Sequence, residues 1–553
     1  MLPRRDFLKH TSAGLAGALL TGLLGSVPGC RPARAPTVRG QLRGAGHALG
    51  HRLRDPASLP PPTRTQLVDV LIVGGGVSGL AARRELHRQA PGREVLLLEL
   101  EADTGGNAAS GRNLRTAYPW GAHYLPLPDV RDHELLEFLK EAGVLTGYDP
   151  RSSLPVYDET ALCHDPDERL LLHGHWQAGL IPDGGVPAAD RAEIARFLAY
   201  TDKLRHATGP DGRDLFWLPL DESSTDPAIR QLDTQPMSDW LDQHGYRSPY
   251  LRWYLDYSYR DDYGVPAAQI SAWAGLHYFA ARKGRAANAA PDAVLTWPEG
   301  NHFLAQALRR TGGPGTIQAN TLVFGLEDAP GGRVGVLAFD AKTGQSTRYL
   351  AGQVVLAAPW QVARHLLPEL PALAPLHAPW LVANLTVDRY PGGPGQPLSW
   401  DNVRFGSPAL GYVDAEHQAL RGFEAPAPRH LTFYWALPTD PADPVAARRR
   451  ALSSTYQDWL TLVLTELNLM HPGLADAVSA AELWVWGHGM VAPKPGYVWG
   501  TDRAAALAGP WRGGRVHLAH TDYAGISVFE EAFHQGQRAA EALLVQGGKG
   551  VGV

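Results

Sequence analysis

The chemistry-bearing feature of this chain is a glycine turn. Val68-Asp69-Val70-Leu71-Ile72-Val73 is an almost continuous apolar run that passes directly into Gly74-Gly75-Gly76-Val77-Ser78-Gly79. A strand followed by glycines at this spacing reads as a phosphate-binding turn. Gly74 permits the tight bend, Gly76 lets backbone approach a pyrophosphate, and Gly79 lets the next helix pack on the strand. Residues 80–89 have helical composition without a breaker, so the helix N-terminus beside Ser78 would offer N–H groups and positive potential to phosphate oxygens. A second strand-like run over 94–98 ends in Glu99, twenty residues past Gly79. A carboxylate there binds ribose hydroxyls and repels the 2′-phosphate of NADP, which leaves NAD and FAD.

Further along, Leu100-Glu101-Ala102-Asp103-Thr104-Gly105-Gly106 extends this unit. The C-terminal part reads Val516-His517-Leu518-Ala519-His520-Thr521-Asp522, then Phe529-Glu530-Glu531-Ala532-Phe533. Together these resemble the flavoprotein amine oxidase and phytoene desaturase superfamily, in which a Gly-Gly pair follows the ribose acid and a terminal strand, acid and helix face the flavin. Thr296-Trp297-Pro298-Glu299-Gly300-Asn301, the strand around Val323 and Pro119-Trp120-Gly121-Ala122-His123-Tyr124 are similar to the family's middle segment and its flavin-facing loop. The resemblance implies non-covalent FAD, held by Gly74, Gly76, Ser78, Gly79, Glu99, Gly105, Gly106, Arg112, Val323, Asp522 and Ala532.

For catalysis the resemblance points to His123 and Tyr124. Aromatic walls that would orient a substrate are numerous: Trp120, Trp273, Tyr278, Trp484, Trp486, Tyr497 and Trp499. His488, in Trp486-Gly487-His488-Gly489-Met490, and Tyr497 complete the catalytic candidates. Tyr259-Arg260-Asp261-Asp262-Tyr263-Gly264 reads as a helix-end salt bridge. No histidine or cysteine spacing suggests a metal. The chain also departs from the family. Asn107 stands where an arginine usually follows Gly-Gly, leaving Arg112 or Arg115 for the phosphates; Val528 replaces a cage tyrosine; and Trp380-Leu381-Val382-Ala383-Asn384-Leu385-Thr386, the strand that commonly carries a lysine, has none. Lys494 is the lysine nearest a site segment.

These residues need an α/β fold: a Rossmann-like FAD-binding domain built from discontinuous segments (68–128, 291–375 and 491–544), interleaved with an α+β substrate domain (129–290 and 376–490). Residues 36–67, rich in Pro, Arg and Gly without a sustained period, read as a linker, and 545–553 as a tail. A net charge of −5 with mixed signs gives no stripe for nucleic acid. Ahead of the linker, residues 1–35 open with Arg4-Arg5-Asp6-Phe7-Leu8-Lys9 before a weakly apolar run. This resembles a twin-arginine signal, read by a translocase that exports folded proteins. Cleavage at Cys30, with lipid attachment there, after Ala35, or not at all are the open alternatives. A periplasmic or exported FAD oxidoreductase follows, tethered to the membrane if Cys30 is lipidated, taking hydride from a small amine-like substrate and passing electrons to oxygen or a membrane quinone. The competing readings are a desaturase or isomerase of an apolar isoprenoid-like substrate, and a flavin-bearing binding or assembly factor.

Overall fold

The computed structural model describes residues 38–418, 428–509 and 511–547. Arg4, Arg5, Cys30 and Ala35 lie outside them. Where the sequence suggested a linker, Arg39–Gly44 forms a strand, β1, paired in parallel with residues 480–485. Its side chains are mostly solvent-facing, so no apolar period marked it; edge pairing alone makes it a strand. Gly40 is required there, since a Cβ would lie 1.7 Å from the carbonyl oxygen of Ala481.

β2 (Pro62–Val73) is the centre of the first sheet, and Val70, Leu71 and Ile72 are fully buried. The helix α1 (Val77–Gln89) leaves from the glycine turn, and β3 (Val95–Leu98) returns parallel to β2. Thr316–Gln318 extends the sheet beyond β3. On the other side of β2 lies β4 (Gln345–Leu356), also parallel, flanked by the antiparallel strands Arg333–Asp340 and Thr321–Ala329. A strand covered on both faces is apolar throughout, which is why β2 and β3 read as continuous runs.

The second sheet has eight strands. In spatial order they are Arg39–Gly44, Val478–Ala492, Leu376–Val387, Arg429–Ala436, Gly411–Asp414, Asp401–Arg404, Glu168–Leu172 and His175–Ala178. The strand Leu376–Val387 shows what this sheet separates. Trp380 and Val382 point to an aromatic cluster with the helices α2 (Pro249–Tyr263) and α3 (Ala272–Ala280), whereas Leu381, Ala383 and Leu385 pack on the helix Tyr456–Met470. The period of two puts the first set beside the site and the second in a core.

The chain then returns to the first sheet. β5 (Val516–Leu518) pairs in parallel with the end of β4, and α4 (Phe529–Gly547) lies on α1. The two helices meet at Gly536, whose Cβ would sit 2.1 Å from the carbonyl oxygen of Ser78. The fold is therefore the α/β arrangement the sequence implies, with a Rossmann-like unit completed by distant segments. Among the described residues, no helix is long and apolar enough to cross a membrane.

Candidate active site

Two adjoining cavities lie where the sheets meet. The larger, about 600 Å³, begins at the glycine turn and is lined by Gly74, Gly76, Ser78, Glu99, Gly105, Gly106, Arg112, Val323, Asp522 and Ala532. All the expected cofactor residues except Gly79 thus line one cavity. Gly79 sits behind it, because a Cβ there would fall 2.0 Å from the carbonyl oxygen of Gly74. Gly74 itself has φ +102°, and a Cβ on it would meet the carbonyl of Ala357 at 2.3 Å. These glycines leave bare backbone facing the cavity, as a pyrophosphate needs.

The acids behave differently. Glu99 is buried and accepts from the backbone N–H groups of Gly75 and Glu101, and burial pushes its carboxyl up to about 7. Burial also disfavours ionised Asp522, but His377 and His520 outweigh it and hold that carboxyl well below the usual range. Asp522 accepts from His377 Nε2 at 2.8 Å and from the Trp360 N–H at 2.7 Å. Of the two arginines considered for the phosphates, Arg112 lines the cavity; Arg115 lies off it, 3.7 Å from Glu416.

The smaller cavity is about 140 Å³ and shares Asn107, Ala122, Asn301, Trp486, Gly489, Ser527, Val528 and Phe529 with the larger. Asn107 donates its side-chain amide to the Gly489 carbonyl, and Trp486 Nε1 donates to the Trp120 carbonyl at 2.6 Å, so this partition is fixed. Tyr278, Trp380, Val382 and Tyr434 supply the apolar walls. His123 stacks on Tyr434 with ring centres 4.5 Å apart, and burial lowers its pKa to about 3, keeping the imidazole neutral.

The polar side of this cavity is acidic. The Tyr124 hydroxyl lies 3.0 Å from Asp261 Oδ2 and 3.1 Å from Asp262 Oδ1, and Arg282 pairs with Asp262. Among the described residues no cation forms an ion pair with Asp261, Arg282 being taken by Asp262. Burial first, then repulsion from Asp262, pushes its carboxyl up to about 7. Glu530 also lines this cavity and is likewise raised to about 7 by burial.

Several expectations are corrected. Tyr497 lines neither cavity; it packs with Leu373, Val491, Ala506 and Tyr523, and its hydroxyl donates to the Asp522 carbonyl at 2.8 Å. Its part is to hold the turn that carries Asp522. His488 faces the larger cavity rather than the smaller, 5.4 Å from the His377 ring. Trp273 is fully buried in the aromatic cluster, and Trp499 packs against it. Asp262 pairs with Arg282 rather than Arg260, whose guanidinium donates to the carbonyls of Asp256 and Pro408. Lys494 donates to the Ala374 carbonyl, and no lysine lines either cavity among the described residues. Sequence reasoning missed Arg282 and Glu530. The signal for Arg282 was an Arg-Lys pair directly after the apolar run 272–281, which obliges nearby acids to receive it.

The profile of NAD(P)-binding Rossmann-like domains matches residues 72–142. The chain carries a Rossmann-like dinucleotide-binding domain. This domain supplies Gly74, Gly76, Gly105 and Gly106 to the larger cavity. A stretch of 96 residues is 38% identical to a Mycobacterium tuberculosis protein that carries the name flavin-containing monoamine oxidase AofH; the match covers 17% of this chain and only 19% of the relative. Solved structures extend the likeness of fold. A putrescine oxidase double mutant superposes with a TM-score of 0.61 at 16% identity, covering 87% of this chain and 100% of that one. Cyclohexylamine oxidase from Brevibacterium oxydans gives 0.59 at 18% identity, over 88% and 99%. The dinucleotide-binding domain and the second sheet therefore both belong to the fold seen in those oxidases.

Proposed function

We propose that the protein is an exported FAD-dependent oxidoreductase acting on a small amine. The larger cavity fits FAD: its turn presents bare backbone in a bend with no room for a Cβ on Gly74 or Gly79, and Glu99 and Asp522 also line the cavity. Bound FAD supplies a two-electron acceptor for a substrate C–H held beside it. The rest of the task falls to the protein.

The observation that carries the amine is the shortage of donors at Asp261 and Asp262. One tyrosine hydroxyl has a single proton for two carboxylates, and Arg282 serves Asp262. An ammonium group supplies the missing donors and the missing charge. Asp261, raised towards neutrality, then stands ready to hold the proton the ammonium loses in becoming a free amine. Tyr124 and Arg282 keep Asp261 and Asp262 in place, while Trp380, Tyr434 and Val382 orient the carbon chain and exclude water.

Size narrows the class. An apolar cavity of about 150 Å³ holds one benzene, so some 140 Å³ suits a short diamine or a compact monoamine. An isoprenoid chain finds neither length nor a fully apolar wall there. Electrons leave to oxygen or a membrane quinone, and the twin-arginine prefix sends the loaded protein out of the cytoplasm, where Cys30 provides a lipid tether.

Anaerobic titration of the purified yellow protein with small monoamines and diamines tests the reading. Bleaching of the flavin band by a small amine is the expected outcome. A flavin that no amine reduces would overturn it and favour a desaturase or isomerase of an apolar substrate, and one unreactive even towards dithionite-reduced mediators would favour a binding or assembly role.

A further inference from the structure

Residues 38–58 lie outside the Rossmann match and ahead of the glycine turn. Between Arg39 and Arg54 they hold four arginines, two histidines and no acid. They do not hang free. Arg43, Gly50 and Leu53 line the larger cavity, so this segment passes over the space assigned to the dinucleotide. Arg43 stands opposite Trp484 in the strand pairing, and Trp484 lines the same cavity. The Gly46 N–H donates to Glu101 Oε1 at 2.6 Å, two residues from Glu99. Leu53 packs in the cluster that contains Leu98 and Val323.

The attachment is thin. Of residues 38–60 only Leu53 and Leu59 are buried, and β1 is held by one edge pairing, the half-exposed Arg43–Glu482 ion pair at 3.2 Å, a Gln41 hydrogen bond to the same carboxylate at 3.1 Å and the partly buried Val38 and Leu42. Such a segment sits at the low end of local stability and opens without unfolding the core. Its charge, however, suits what would lie beneath it. A diphosphate carries negative charge, and the residue after Gly105-Gly106 is Asn107, whose amide is spent on the Gly489 carbonyl. Of the four arginines Arg43 lines this cavity, and a diphosphate would compete with the half-exposed Glu482 carboxylate for its guanidinium.

We propose that residues 38–58 form a basic clasp over the bound dinucleotide, with Arg43 as the residue that answers the diphosphate and Gly50 and Leu53 closing the end marked by Leu100 and Val323. The ligand class is an adenine dinucleotide with a diphosphate bridge. This inference rests on the cofactor reading above. Binding holds the clasp shut, and a shut clasp slows release, since anything that binds only the closed state stabilises it.

Limited trypsin digestion of the full chain, stripped of flavin and then reloaded with FAD or FMN, tests this. Cleavage after Arg43, Arg52 and Arg54 should slow about tenfold with FAD and remain fast with FMN, which lacks the diphosphate and adenosine. Gly40→Val acts from outside the cavity by driving β1 off Ala481. It should make those sites equally sensitive with and without FAD and speed FAD release about tenfold. Arg43→Gln, which leaves the strand in place, should weaken FAD binding about tenfold and flatten its dependence on salt. Wild-type cleavage indifferent to FAD, or Gly40→Val losing the clasp yet releasing FAD at the wild-type rate, would overturn the proposal while leaving the cofactor reading intact. A wild-type chain that takes up no FAD in the same absorbance titration would instead remove the reading on which the clasp rests.

Discussion

The two cavities are built by opposite means. The dinucleotide cavity presents main chain from the turn 74–79 and the Gly105-Gly106 bend, with side chains held back. The smaller cavity is walled by side chains drawn from the segment 121–126, α2, α3 and the residues after it, the second sheet and the start of α4. A site made of backbone fails by steric intrusion, because backbone cannot move aside. A site made of side chains fails by loss of charge or shape at one position, while its neighbours and the fold persist.

Four substitutions would break or sharpen this contrast. The largest effect belongs to Gly79→Val, which would drive a side chain into the Gly74 carbonyl; we expect a loss of about 3 kcal/mol or more, and little bound flavin, by thermal unfolding and flavin-to-protein ratio. Glu99→Ala should lower FAD affinity roughly 10- to 150-fold in equilibrium titrations, the worth of about 1.5–3 kcal/mol for a charged hydrogen bond.

Asp261→Asn keeps the shape of the smaller cavity and removes the charge. It should raise KM for a small amine roughly 10- to 100-fold with full flavin content; loss of flavin instead would mean the two cavities are not separable. The same carboxyl sets a pH profile. Because its pKa is raised to about 7, it is protonated below that and cannot pair with an ammonium. In the wild type kcat/KM should fall up to about tenfold per unit below that pH, and Asp261→Asn should lack that limb. Smallest is Tyr497→Phe, which removes one hydrogen bond to the Asp522 carbonyl and should cost about 1 kcal/mol in stability without changing KM.

The same contrast explains what could be read from sequence. β2, α1 and β3 are contiguous, each with its own period, and the glycines declare their job by spacing; the cofactor wall was legible from Gly74 to Glu99. The acid pair at Asp261 and Asp262 was visible only as a charged helix end, because its partners Tyr124 and Arg282 lie far away or carry no periodic signal. Tyr497 misled for a related reason. An aromatic near the terminal flavin segment looks alike whether it faces a cavity or props a turn from behind. β1 was missed because an exposed edge strand has no apolar alternation to show.

The seat of Gly536 beneath Ser78 also sets a schedule for synthesis. The helix that follows the phosphate turn is made early, whereas β5 and α4 come more than 420 residues later. At about 5–20 residues per second, some 470 residues of further synthesis take roughly half a minute to a minute and a half. Throughout that interval the nascent chain holds a glycine turn without its backing helix and a central sheet without β5. The cofactor cavity is therefore complete only once α4 has been made, and the unfinished Rossmann strands must be kept from other sheets until then.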